Sequence, residues 1–208
     1  MKKNIKIFGI GFLVFLVFLI FSYFVAREHF VQLDFDTTVK MQDNLSRRLD
    51  EAFSTFSIIG SFEIVSLLLL ILIVFLKKLK GIIILIPYFF LHLIEIFGKT
   101  IIDQNNPPFF FLRTEVPFQF PSGYVQPGYS YPSGHSARTA FISLIFLFLI
   151  HKSKKINQTQ KVVIYSLVLI FDLIMFTSRI YLGEHWSTDV IGGILLGISF
   201  AVISLVFT

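Results

Sequence analysis

"IFGIGFLVFLVFLIFSYFV", Ile7–Val25, sets the solvent for which this protein is built. A membrane-spanning helix needs roughly 20 mostly apolar residues, and this run supplies that length without a single charged side chain. It follows Lys2, Lys3 and Lys6, as the core of a signal peptide would. A signal core is only about 7–15 residues long and ends at a small-residue cleavage site. This run is longer and no such site follows it, so we expect a retained helix.

Outward from that run, five more apolar stretches recur, at about 56–76, 81–97, 134–150, 162–177 and 190–207. The composition agrees: 55% of the 208 residues are hydrophobic, 27 are Phe, and only 15% are charged. That balance excludes an ordinary soluble domain. The expected architecture is all-α, a bundle of six transmembrane helices forming one domain over residues 1–208.

The net charge of +5 does not point to nucleic acid, because the basic residues cluster between the apolar runs. Lys2, Lys3 and Lys6 form one cluster, Lys77, Lys78 and Lys80 a second, and Lys152, Lys154, Lys155 and Lys161 a third. In a six-span chain these three regions share one side, which the positive-inside rule makes cytoplasmic. The segments 27–55, 98–133 and 178–189 then face outward. In the first of these, Phe35, Val39, Leu45, Leu49, Phe53 and Phe56 are spaced as on a helix lying in the membrane interface; an ordinary connector fits equally well.

Three polar stretches interrupt the oil: "KTIIDQNNPP" (Lys99–Pro108), "PSGH" (Pro132–His135) and "SRIYLGEHWSTD" (Ser178–Asp189). By the orientation above, all three lie at the outer face, as the parts of one active site would. Lys99 and Arg179 are fixed cations, and a guanidinium grips two phosphate oxygens in a fork. Ser133 and Gly134 fall at the start of the fourth span, where free N–H groups and the helix dipole favour an anion. His185 and Asp189 are spaced i, i+4, so a carboxylate can hold one ring nitrogen and free the other to attack. His135 is then available as an acid for the leaving oxygen. Together these parts describe phosphoryl transfer without a metal or cofactor; the chain has no cysteine and its carboxylates are scattered.

The three stretches resemble the signature of the type-2 phosphatidic acid phosphatase superfamily, the integral-membrane lipid phosphate phosphatases. That signature reads K-x6-R-P, P-S-G-H and S-R-x5-H-x3-D. The second motif matches fully at Pro132, Ser133, Gly134 and His135, and the third at Ser178, Arg179, His185 and Asp189. The resemblance implies that His185 attacks phosphorus, Asp189 orients it and His135 protonates the leaving group. Lys99, Ser133, Gly134 and Arg179 would hold the phosphoryl oxygens. It also implies a phosphorylated membrane lipid as substrate, such as phosphatidic acid, phosphatidylglycerol phosphate or undecaprenyl pyrophosphate, and a multi-pass membrane protein; the Phe- and Lys-rich composition fits a bacterial cell membrane. The first motif departs from the pattern: Lys99 and Pro107 are in place, but Asn106 stands at the arginine position. Arg113 in the same loop, or Arg138 one turn after His135, is expected to supply the missing guanidinium, with Arg113 preferred.

Two other readings stay open. Asn106 allows a phosphatase-like protein that binds lipid without turnover, and the intramembrane Glu63, His92 and Asp172 allow a small transporter. We expect those residues and Glu95 to serve as structural polar contacts, with Glu95 paired to Lys99 one turn on. Trp186, Tyr124, Tyr129 and Tyr131 read as an interfacial aromatic belt.

Overall fold

Each apolar run becomes helix, because a backbone in hydrocarbon must satisfy its own hydrogen bonds. The computed structural model describes residues 2–75, 79–116, 118, 120–124 and 128–207. In chain order the helices are α1 (Lys2–Ala26), α2 (Val31–Asn44), α3 (Asp50–Ser57), α4 (Phe62–Phe75), α5 (Leu85–Ile101), α6 (Gly134–Lys152), α7 (Gln158–Tyr181) and α8 (Ser187–Ser204), joined in places by single 3-10 turns. Among the described residues five helices are long and apolar enough to cross a bilayer. Arg47–Gly60 and Phe62–Val74, bent by 50° at their junction, are long and apolar enough together to count as a sixth crossing if taken as one span.

The second span therefore differs from the straight helix expected over 56–76. It breaks at Ile58–Ser61, and the break has a partner. The Gly60 carbonyl accepts the Arg138 Nε–H at 3.2 Å, and a Cβ at Gly60 would lie 2.8 Å from His135 Cδ2. The bend thus brings a backbone carbonyl against α6, where a regular helix would have consumed it. Lys77 and Lys78, part of the second basic cluster, lie outside the described residues.

Helix α8 is the centre of the bundle, packed on α1, α5 and α6. Its glycines set the distance to α6. A Cβ at Gly193 or at Gly197 would lie 2.3 Å from the carbonyl oxygen of Ser133 or of Ala137, respectively. Small residues that let two backbones touch are how helices bind without a hydrophobic driving force between them. Phe18, Leu69, Leu91, Phe141, Ile145 and Leu196 fill the interior, while Leu13, Val74, Phe89 and Leu167 point outward to where lipid would lie.

This packing gathers the end of α5, the start of α6, the end of α7 and the start of α8 at one end of the bundle. The Ser133 amide donates to the Asp189 carbonyl at 2.9 Å, and the His185 amide to the Arg179 carbonyl at 3.2 Å. Helix α2 roofs that end with an unexpected face. Its buried stripe is polar, Asp34, Thr38 and Gln42, while Val31, Leu33 and Phe35 are exposed. Asp34 accepts from the Ser187 hydroxyl at 2.5 Å, the Thr188 amide at 2.9 Å and the Thr188 hydroxyl at 2.6 Å. A carboxylate from α2 thus caps the first turn of α8, where orphan N–H groups and the dipole favour negative charge. Gln42 Nε2 donates to the Phe111 and Tyr181 carbonyls, both at 2.8 Å.

Candidate active site

His185 sits in a tight turn rather than inside a helix. α7 ends at Tyr181, and Gly183 (φ +69°) takes the left-handed conformation that reverses the chain. A side chain there would also meet the Phe111 carbonyl at 2.2 Å. Two residues on, His185 Nδ1 lies 3.2 Å from Asp189 Oδ2. Asp189 stands in the first turn of α8, and the same oxygen takes the Trp186 amide at 2.9 Å. The expected i, i+4 contact therefore forms across a helix start. With Nδ1 on a carboxylate, His185 keeps its proton there, and Nε2 bonds to no described group. Burial pushes this imidazole below its ordinary pKa, and the bond to Asp189 only partly opposes that. His185 is accordingly neutral near pH 7 and carries a free lone pair.

Ser130 joins this pair, a residue that motif spacing did not single out. Its hydroxyl donates a short hydrogen bond to Asp189 Oδ2 and lies 3.1 Å from His185 Nδ1. Its backbone is held on both sides: the amide donates to the Gln104 carbonyl at 2.9 Å, and its carbonyl accepts Lys99 Nζ at 3.1 Å. Asp189 is fully buried, yet its second oxygen, Oδ1, has no partner.

The cationic side is equally built. Arg179 is 1% exposed. Its Nη1 and Nη2 meet Glu184 Oε2 and Oε1 at 2.6 and 3.3 Å, while Nε is buried with no partner. Glu184 also accepts the Thr114 hydroxyl at 2.5 Å. Burial raises the Glu184 carboxyl, but Arg179 and Thr114 outweigh it and hold it below its ordinary value. Lys99, Arg138, Arg179 and His185 all lie within electrostatic reach of His135.

At the N-terminus of α6, Ser133 caps the helix by accepting the Ser136 amide at 3.4 Å. Its own amide is spent on Asp189, so the free donors of this turn are the Gly134 and His135 amides. Gly134 has a second reason to be glycine: a Cβ there would fall 1.9 Å from Glu95 Oε1 and 2.7 Å from Arg138 Nη1. Glu95 pairs with Arg138 at 3.1 Å and with His92 at 3.1 Å. That differs from the expected pairing with Lys99, whose ammonium reaches Ser130 instead. Glu63 accepts from Ser122, and Asp172 from Ser143, so these intramembrane carboxyls hold elements together.

The structure thus brings Lys99, Ser133, Gly134, His135, Arg179, His185 and Asp189 to one end of the bundle. Asn106 and Arg113 make no hydrogen bond to those residues, though Arg113 Nη1 is buried with no partner. Asn106 is exposed and makes no hydrogen bond to a described residue. The Arg113 guanidinium lies 5.1 Å from the Tyr181 ring centroid and donates to the Gln42 carbonyl at 3.3 Å. Arg138 is spoken for by Glu95 and Gly60. Among the described residues no group of three or more His, Asp or Glu side chains is arranged to hold a metal.

A helical membrane bundle with a histidine–carboxylate pair among buried cations at one end defines the class. The sequence model of the PAP2 superfamily matches residues 63–208, and the chain belongs to that superfamily. It is 32% identical over 73 residues to phosphatidylglycerophosphatase B of Bacillus subtilis, covering 35% of this chain and 36% of that protein. It is 33% identical over 76 residues to a dihydrosphingosine 1-phosphate phosphatase of Saccharomyces cerevisiae, covering 36% of this chain and 19% of the yeast protein. The chain therefore aligns with little more than a third of the Bacillus protein's length and about a fifth of the yeast protein's. Among solved structures, a transmembrane PAP2-type phosphatidylglycerolphosphate phosphatase from Bacillus subtilis superposes with a TM-score of 0.73 at 23% identity, over 99% of this chain and 94% of that one. LpxE of Aquifex aeolicus gives 0.62 at 24% identity, over 83% and 94%. These two likenesses establish the fold, an all-helical transmembrane PAP2 bundle.

Proposed function

We propose that residues 1–208 form one integral-membrane phosphatase that hydrolyses the phosphate of a membrane lipid. The observation that carries this reading is the His185–Asp189 contact, which leaves a neutral imidazole with Nε2 unengaged beside the buried Arg179. Nε2 attacks phosphorus, the bond from phosphorus to the lipid oxygen breaks, and His135 gives that oxygen a proton. Water then attacks the phosphohistidine and gives its proton to His135, restoring it, as the N–P bond breaks and inorganic phosphate leaves. Lys99, Arg179 Nε and the Gly134 and His135 amides stabilise the charge on the phosphoryl oxygens, with Ser133 fixing the turn that presents those amides. Neither a metal nor a cofactor takes part.

The substrates assigned by name to the two curated relatives, a phosphatidylglycerol phosphate and a phosphorylated sphingoid base, support a lipid phosphomonoester here. The basic clusters support a cytoplasmic-membrane orientation with the site facing outward. The position of Asn106 favours a site that works without the family's first-motif arginine, since Arg138 is taken by Glu95 and Gly60, and Arg113, whose Nη1 is buried without a partner, bonds to none of the clustered residues.

The test is phosphate release from a panel of lipid phosphates by the purified chain in detergent micelles, with and without EDTA. Turnover that survives chelation and disappears in His185→Ala is expected. Loss of turnover in EDTA, restored by a divalent ion, overturns the metal-free mechanism. Lipid binding with no turnover on any substrate moves the chain to the non-catalytic reading.

A further inference from the structure

Arg179 is the most buried cation of the site, and its fork is already occupied. Glu184 takes both terminal nitrogens, as a phosphate would, and Thr114 fixes the carboxylate from the loop that follows Phe111. With that carboxylate in place, Arg179 is paired before any substrate enters, as Arg138 is with Glu95. A phosphoryl group reaching Arg179 therefore meets Nε, and it meets the Glu184 carboxylate at the far side of the same guanidinium. Each further negative charge on the ligand is repelled by a fixed anion.

We propose that Glu184 is a specificity-determining residue, whose carboxylate clasped on Arg179 selects lipid monophosphates over lipid diphosphates. This rests on the phosphatase reading above and narrows its substrate class. A diphosphate brings an additional charge alongside the reacting group. At about 7 Å from the carboxylate and an effective dielectric of about 20–40, one unit charge corresponds to roughly 10- to 50-fold in affinity. The Glu184 side chain is 25% exposed, so solvent screening puts the effect at the low end of that range.

Glu184→Gln separates the charge from the contact. Glutamine keeps an oxygen for Arg179 and Thr114 but no charge, so Arg179 stays in place. The experiment compares kcat/KM of the purified full chain on a diacylglycerol monophosphate and a diacylglycerol diphosphate of identical acyl chains. Wild type is expected to favour the monophosphate, and Glu184→Gln to move the ratio about tenfold toward the diphosphate. Calorimetry with inorganic phosphate and inorganic pyrophosphate reads the same selectivity without turnover, so it reports on Glu184 even where no lipid is hydrolysed. Glu184→Ala should shift both ratios in the same direction. The gain is relative, so partial unfolding does not mimic it. An unchanged ratio in both variants, or a shift toward the monophosphate, overturns the proposal and leaves Glu184 as a brace for Arg179. A wild type that releases phosphate from neither lipid, with the pyrophosphate-to-phosphate shift intact, sinks the phosphatase reading and spares this one.

Discussion

Ser130→Ala tests the site at its least conspicuous member. Asp189 Oδ2 collects three donors: the Ser130 hydroxyl, His185 Nδ1–H and the Trp186 amide. Asp189 is wholly buried, so no water replaces a lost donor without rearrangement. A hydrogen bond to a charged group contributes about 1.5–3 kcal/mol, which corresponds to roughly 10- to 100-fold in rate if the orientation of His185 is lost in the transition state. Ser130 touches no candidate phosphate position, so kcat should fall while KM holds within about twofold. The pH profile carries the sharper sign. In the proposed mechanism His185 must be neutral to attack, so activity is expected above its pKa and lost as pH falls through it. Burial sets that pKa below the ordinary histidine value. Removing the Ser130 donor leaves Asp189 with less of its charge satisfied, so it holds the imidazolium more tightly and raises the His185 pKa. The other charged groups facing His185 are Lys99 from α5, His135 from α6, Arg179 from α7 and Glu184 beside it, and the substitution changes none of them. The acid limb of kcat/KM should therefore move to higher pH. Initial rates on a soluble-chain lipid phosphate between pH 4 and 9 measure both effects. Wild-type kcat with an unmoved acid limb refutes the shared hydrogen bond as the device that orients His185.

Three other substitutions follow from the same geometry. Arg138→Ala leaves Glu95 buried without its partner and should cost about 3–5 kcal/mol of stability, seen as a fall in the thermal midpoint in detergent, whereas Arg113→Ala, which gives up a stacking contact worth about 0.5–1 kcal/mol, should change turnover less than about threefold. A dead but well-folded Arg113→Ala protein would restore Arg113 to the phosphate site. Gly134→Ala places a methyl where Glu95 Oε1 now lies, so it should unfold the α5–α6 contact or abolish activity; a fully active, fully stable variant contradicts the packing. For the outward orientation, cysteine at Phe109, which is 85% exposed, should react with an impermeant thiol reagent on intact cells, while cysteine at Lys154 should react only after lysis.

What the sequence made legible is what is local or periodic. Nineteen uncharged residues in a row leave one solvent and one secondary structure, and the parity of the basic clusters puts the three polar stretches on one side. The i, i+4 spacing of His185 and Asp189 anticipated their contact even though a helix start falls between them, because a turn leading into α8 keeps the same reach. Glu95 shows where this kind of reading stops. Its i, i+4 neighbour is Lys99, but Arg138, 43 residues away, wins the carboxylate. Lys99 lies at the very end of α5, where its long side chain reaches the Ser130 carbonyl, while Arg138 faces Glu95 across a glycine that leaves no side chain between them. Apolar spacing drew attention to one face of α2, and the face that matters is its polar one, since a carboxylate there caps a helix 153 residues on. The bend at Gly60 is invisible for the same reason: an apolar run specifies burial in lipid, whereas a break is specified by the distant donor that takes the freed carbonyl. Asn106 is the converse case. Motif spacing demanded a cation near that position, yet Arg138 is engaged by Glu95, and Arg113 lies over Tyr181 with its buried Nη1 unpartnered. On the reading proposed above, the fork of Arg179, already shared with Glu184, suits the less charged of two phosphoryl groups.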